Sequence, residues 1–243
     1  SMIDTDFLCK SRLFQGFTEE EIKSLLECLN ASSKTYKKGE YIFQTGEITE
    51  NFGMILDGKV QIISDGSLDL PQEITDAHDI EVVPFYVSFN GETYQKEIEE
   101  IGIREFYQEM VDHPDVFPKS SMPSVDDFYQ TFVKSAKENI PVICICITTK
   151  FSGSLQSATV AKEMVKDEYP EARITVIDST VNTVLQGLFV LEACRMRDMG
   201  LDYEEIIERI LPIRETGRIF FTIGSIDYLR HGGRIGKLAG IAA

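Results

Sequence analysis

The stretch KFSGSLQSA, Lys150 to Ala158, sets Ser152 and Ser154 around Gly153, between a strongly apolar run and a helical one. Residues of these types in this order support three chemistries. A serine hydroxyl can cap the helix by accepting a backbone N–H of its first turn. A serine on a tight strand-to-helix turn can act as a nucleophile. A helix N-terminus, with unpaired N–H groups, partial positive charge and a glycine that admits close approach, can seat a carboxylate or phosphate. The spacing alone is satisfied by a plain cap. A nucleophile needs a base, and of His78, His113 and His231 only the last stands in a glycine-rich loop. Glycine also flanks the serine on one side only, where the nucleophile elbow has it on both.

Three more loops carry polar groups: SDGSLDLP and DSTVNT, each after an apolar run, and KSSMPS, ahead of a helical one. They are rich in Ser and Thr, and with the first loop they hold two cations, Lys119 and Lys150. The stretch RHGGRIGK is a basic island, with Arg230, Arg234 and Lys237 among its glycines. It lacks the spacing of a phosphate-binding P-loop. It reads either as a turn with solvated charges or as a loop that brings a cation to an anion. Asp65, Asp69, Asp178 and Asp227 fall near strand ends. Without a tight cluster they are better suited to bracing loops than to holding a metal.

The elements that must position these loops follow from periodicity. FTEEEIKSLLECL is a helix with Thr18 and Glu21 at capping-box spacing and an apolar face at Ile22, Leu25, Leu26 and Leu29. Two β-rich runs then flank Asp57-Gly58, a hairpin signal, and Asn90-Gly91 marks a second hairpin. Helices are expected over GIREFYQEMVDH, VDDFYQTFVKSAKEN, LQSATVAKEMVKDEY, the run ending at Gly200, and DYEEIIERILPIRE, the last interrupted near Pro212. VQII, PVICICIT, ARITVIDS and RIFFTIG read as strands, and PVICICIT is apolar enough to be buried on both faces. The pattern predicts an α/β fold, a mostly parallel sheet with flanking helices, preceded by a helix plus β-hairpin segment. Phe106, Phe128 and Phe132 are expected in the core.

The 243 residues carry 40 acidic and 24 basic side chains, a net charge of -16, which argues against nucleic acid or anionic membrane as a partner. No apolar run reaches membrane-spanning length, and no signal peptide is visible. The five cysteines, Cys9, Cys28, Cys144, Cys146 and Cys194, have neither zinc-finger nor C-x-x-C spacing. Cys144 and Cys146 share one face of a strand. Reduced core thiols of a cytoplasmic protein are expected.

Taken in order, IISDGSLDLP, VVPFYVSFNGETY, KSSMPSVDDF, ITTKFSGSLQSA, VIDS, GLFVLEA and YLRHGGRIGK resemble the DegV family of bacterial fatty-acid-binding proteins. The resemblance runs from about Val60 to the end of the chain. It implies two α/β domains, here residues 59–217 and a second begun at 218–243, incomplete without chain beyond Ala243. A long-chain fatty acid would lie between them. It further implies that Ser120 and Ser152 hydrogen-bond the carboxylate, with the Gly153 N–H alongside. Ser121, Ser154, Arg230 and Arg234 are further ligand-facing candidates. Ser120 stands where the family has threonine and keeps the hydroxyl; Met122 stands where it has glutamine and loses the amide. Such a protein uses no cofactor or metal and has no catalytic role. It presents the fatty acid to a separate fatty acid kinase that makes acyl phosphate.

Residues 13–62, with LFQGFTEEEIKSLLECL, KKGEYIFQTGE and GMILDGKV, resemble the opening of a cyclic-nucleotide-binding domain, so that 1–58 forms a partial segment of that kind. The match stops before that family's phosphate-binding cassette. A regulatory or sensory module is therefore a competing expectation, and a serine hydrolase at Ser152 a third.

Overall fold

The computed structural model describes residues 5–9, 12–14, 16–34, 60–220, 222 and 231. The chain divides into two compact units, Ser1–Asp57 and Gly58–Ala243.

The first unit holds helices α1 (Thr5–Cys9) and α2 (Glu19–Cys28). The α2 capping box forms as its spacing predicts: the Thr18 hydroxyl accepts the Glu21 N–H, and the Glu21 carboxylate accepts the Thr18 N–H at 2.8 Å. Ile22 is buried with Leu8 and Phe14, Leu25 and Leu26 pack beside them, and Leu29 stays exposed. The hairpin expected around Asp57-Gly58 lies outside the described residues.

The second unit is built on a parallel sheet of β1 (Gln61–Asp65), β2 (Ile80–Val83), β6 (Val142–Cys146) and β7 (Ile174–Asp178), in the order β2-β1-β6-β7. A smaller antiparallel sheet, β4-β3-β5, comprises β3 (Tyr86–Ser88), β4 (Gln95–Lys96) and β5 (Lys119–Ser121). The helices are α3 (Gln72–Ala77), α4 (Ile103–Asp112), α5 (Val125–Lys137), α6 (Ser154–Glu168), α7 (Thr183–Asp198) and α8 (Tyr203–Ile213).

Alternation along the central strands divides the core into two layers. Ile62, Ile143, Ile145 and Ile177 face a layer with Val190, Ala193, Cys194, Ile206 and Ile210, from α7 and α8. Ile63, Val142, Cys144, Cys146 and Ile174 face the other, with Phe128, Phe132, Ala158, Ala161 and Val165, from α5 and α6. Every residue of β1 and β6 is buried, which explains the continuous apolar composition of β6, while β1 buries Gln61, Ser64 and Asp65 beside Ile62 and Ile63. Cys144 and Cys146 do share a face, with their sulfurs 3.7 Å apart.

Two local expectations need correction. The second hairpin exists, with Tyr86 opposite Lys96, but its loop spans 89–94. Asn90 Oδ1 accepts the Glu92 and Thr93 N–H groups, and this side-chain turn replaces a two-residue one. Pro212 lies inside α8, which ends one residue beyond it at Ile213, where the sequence places the interruption. Residues 217–220 form no strand, and most of RIFFTIG beyond them lies outside the described residues. At the end of α7, Gly200 takes φ +85°, the left-handed C′ conformation that glycine adopts without strain.

Candidate functional site

The order β2-β1-β6-β7 fixes where a ligand is expected. From β1 the chain crosses to β2 on one side; from β6 it crosses to β7 on the other. The connections therefore diverge at the carboxyl ends of β1 and β6, and such a switch point leaves a crevice. Asp65 ends β1 there, and residues 147–153 lead from β6 into α6.

Asp65 is fully buried. Its Oδ2 accepts the Ile147 N–H at 2.9 Å and the Ser154 hydroxyl at 2.6 Å. Its Oδ1 accepts the Gln186 side-chain N–H at 2.9 Å, with the Ser67 Oγ 2.7 Å away. Gln186 also donates to Ser64 Oγ, and the Ser64 hydroxyl donates to the Ile145 carbonyl. One carboxylate thus ties together the ends of β1 and β6, the turn at Gly66–Leu68 and the first turns of α6 and α7. All of its donors are neutral. The sequence identified Asp65 as a loop brace but missed Gln186. The available signal was a glutamine within the apolar run VLQGLFVL, at a buried register of the helix.

Ser154 is consequently not ligand-facing: it is fully buried and its proton goes to Asp65. The cap also differs from expectation. Gly153 is the cap residue, and Ser152, one position earlier, accepts the Ser154 N–H at 3.2 Å. In that contact the Ser152 oxygen is the acceptor, so its O–H remains available to donate. Ser152 is half-buried and Gly153 exposed. Neither Ser152 nor Ser154 bonds a histidine among the described residues, so the activated nucleophile of a hydrolase is not assembled.

The KSSMPS loop comes up against this turn. A Cβ on Gly153 would lie 2.7 Å from Met122 Sδ. Lys119, Ser120 and Ser121 form β5, opposite Ser88, Val87 and Tyr86 respectively. Because directly opposed residues share a face and neighbours alternate, Ser121 lies on the face of Tyr86 and Lys96, while Ser120 lies on the face of Val87 and Gln95. Ser120 and Ser121 therefore point to opposite sides of the small sheet.

Asp127 anchors that loop from below. It accepts from Ser124, the cap of α5, at 2.6 Å from Oγ and 2.8 Å from N. It also accepts from the Tyr86 hydroxyl at 2.9 Å and pairs with Lys96 at 3.2 Å. Burial pushes its carboxyl upward, but the bonds from Ser124, Tyr86 and Lys96 outweigh that and hold it below the ordinary aspartate value. On the other side Glu97 accepts the Phe85 N–H at 2.9 Å and lies against Gly66, where any Cβ would collide with its carboxylate. Burial raises the Glu97 carboxyl above its usual range, as it does that of Asp69.

The DSTVNT loop completes the rim. Asp178 accepts from the Thr149 hydroxyl at 3.0 Å and the Thr180 N–H at 2.7 Å, so it braces two loops. Thr180 and Thr183 hold positive φ values of +62° and +52°, costly for β-branched residues. His231 stacks on Phe117, just ahead of β5, with ring centroids 3.8 Å apart. Arg230, Arg234 and Lys237 lie outside the described residues. Among the described residues no cluster of acidic, histidine or cysteine side chains has the arrangement to hold a metal. No helix among them is long and apolar enough to cross a membrane.

A parallel sheet with helices on both faces and hydroxyl-bearing loops at its switch point defines a doubly wound α/β protein. A family model described as uncharacterised protein, DegV family, matches residues 59–243, and the chain belongs to that family. A DegV domain-containing protein of Clostridium perfringens is 32% identical over 182 residues, which cover 75% of this chain and 63% of that one. Among solved structures, a stearic-acid-binding protein of Eubacterium ventriosum is 46% identical with a TM-score of 0.71, over 74% of this chain and 61% of that one. The fatty acid kinase B3 protein of Streptococcus pneumoniae, solved loaded with linoleic acid, is 26% identical with a TM-score of 0.62, over 75% of this chain and 64% of that one. The chain thus spans less than two thirds of the length of these relatives. The family match begins at residue 59 and leaves the N-terminal unit outside it.

Proposed function

We propose that this protein is a non-enzymatic carrier of long-chain fatty acids. The fatty-acid carboxylate sits between the Ser120 hydroxyl on β5 and the Ser152 hydroxyl, with the Gly153 N–H at the start of α6. The observation that carries this reading is the approach of Met122 to Gly153, which joins the KSSMPS loop to a helix N-terminus at the switch point of the sheet. The relatives described as binding stearic acid and as loaded with linoleic acid support the ligand class. A fatty acid kinase is the partner that receives the exposed carboxylate and converts it to acyl phosphate, a role supported by the B3 protein's description. The acyl chain runs away from the loops into apolar surroundings. A reducing cytoplasm, which keeps cysteines as thiols, is the compartment that this reading implies.

Lipid extraction of natively purified full-length protein, followed by mass spectrometry, tests this. Co-purified fatty acid, or saturable uptake of added stearate, is expected. A lipid-free protein that takes up no stearate overturns the reading.

A further inference from the structure

We propose that Asp65 is the positioning residue of the carboxylate seat, an inference that rests on the fatty-acid-binding reading. Asp65 does not reach the seat itself; it acts through Ser154. Its Oδ2 holds both ends of the loop that carries Ser152 and Gly153: the Ile147 N–H where the chain leaves β6, and the Ser154 hydroxyl where it enters α6. Between these fixed ends the Phe151 and Ser152 N–H groups both turn back onto the Thr148 carbonyl, at 3.0 and 3.3 Å. With Ser154 fixed by its side chain, its backbone N–H faces Ser152 Oγ. That contact occupies a lone pair of Ser152 and leaves its proton to donate to the ligand. Asp65 therefore decides the direction in which Ser152 donates, although no atom of Asp65 is exposed.

The demand is for a carboxylate and not merely for a polar side chain of that size. Four groups converge on its two oxygens, from Ile147, Ser154, Ser67 and Gln186. Asparagine at this position offers one oxygen and an N–H₂ group. The Ser154 and Ser67 hydroxyls can turn and accept from that N–H₂, but the Ile147 N–H and the Gln186 N–H₂ only donate, so one of these two is left facing another donor and its surroundings shift. A shift on the Oδ2 side releases Ser154, and with it the orientation of Ser152. The turn from β1 into Gly66–Leu68 makes Asp65 part of the same switch-point crevice as the seat, so the coupling is local.

The test is a double-mutant cycle in full-length protein, with stearate as the probe and every titration run below the thermal transition of each variant. Asp65→Asn is expected to weaken stearate binding about tenfold when Ser152 is present, and less than about twofold in a Ser152→Ala background. Ser154→Ala removes one donor only and is expected to weaken binding about threefold, with the same dependence on Ser152. It carries the test if Asp65→Asn does not fold. Equal losses in both backgrounds mean that Asp65 merely supports the fold, and they overturn the proposal. Unchanged affinity in both variants overturns it as well. If the unaltered protein binds no stearate, the fatty-acid reading fails first and the positioning role falls with it.

Discussion

Met122 Sδ lies 2.7 Å from the point that a Cβ on Gly153 would occupy. This contact joins two loops that are separate in sequence. Gly153 has an ordinary φ of −85°, so its lack of a side chain serves proximity and not backbone conformation. In Gly153→Ala the new methyl meets the end of a flexible methionine, which can swing away. A stability loss below about 1 kcal/mol is expected. Fatty-acid affinity is expected to fall several-fold, with partial recovery in Gly153→Ala/Met122→Ala. Thermal melts and stearate titrations on these two variants and the unaltered protein check both parts.

Gly187 is the contrasting case. A Cβ there would meet the Leu68 carbonyl oxygen and, at 2.8 Å, the Leu70 side chain. A backbone carbonyl cannot rotate aside, so α7 must move off the turn that follows β1. Gly187→Ala is expected to cost about 2 kcal/mol despite alanine's better helix propensity. Denaturant unfolding measures this. A variant as stable as the unaltered protein shows that α7 has slack at this point.

These two glycines illustrate what the sequence makes legible. Periodicity and caps located β1, β6 and β7, three of the four parallel strands, and the helices α2 and α4 to α8, because burial of one face or both writes a pattern into nearest neighbours. The hydroxyl loops were legible too, since strand, small polar run and helix follow one another in the chain. Contacts between distant segments were not. Nothing near Gly153 announces Met122, and nothing near Asp65 announces Gln186. The same limit misassigned Ser154: spacing puts it at the helix start, but only the fold shows that its hydroxyl turns inward to β1. The Asn90 turn failed differently, because a side-chain carbonyl competed with the two-residue hairpin that Asn-Gly favours.

Asp127 connects acid stability to the ligand loop. Its carboxyl is held below the ordinary value, because bonds from Ser124, Tyr86 and Lys96 outweigh the opposing effect of burial. A depressed folded-state value means that the stabilisation is complete above the unfolded-state value and is lost as pH falls through the folded-state one. Asp127→Asn is expected to lower stability at neutral pH by about 2 kcal/mol. It is also expected to flatten the acid limb of the stability curve. Melting temperatures of both proteins across the acid range test this, and parallel curves refute it.

Glu97 has the opposite sign. Burial is the main cause of its raised carboxyl value; the Phe85 N–H bond partly offsets it, and the nearby Asp69 and Asp65 add to it. A raised folded-state value means that the ionised form costs stability above it. The cost disappears as pH falls through the folded-state value to below the unfolded one. Glu97→Gln keeps an oxygen for the Phe85 N–H and removes the charge. It is expected to melt higher than the unaltered protein at neutral pH, with the difference closing toward acid pH. Paired melts over that range decide the matter, and a gap that stays constant with pH counts against the assignment.

The pleat of β5 sets the adjacent serines Ser120 and Ser121 on opposite faces of the small sheet. Ser121 stands opposite Tyr86, on the face where Tyr86 and Lys96 reach Asp127. Ser120 stands opposite Val87, on the other face. A carboxylate shared with Ser152 can use only the serine on its own side of the sheet, because adjacent strand residues point in opposite directions. Ser120→Ala is therefore expected to weaken stearate binding about tenfold, the loss of a hydrogen bond to a charged group. Ser121→Ala is expected to leave it within about twofold, since that hydroxyl serves the Asp127 side. Both residues are exposed, so neither change should unfold the protein. Titration of the two variants side by side separates the faces. A dominant effect from Ser121→Ala would put the ligand on the Asp127 side of the small sheet and remove Ser120 from the seat.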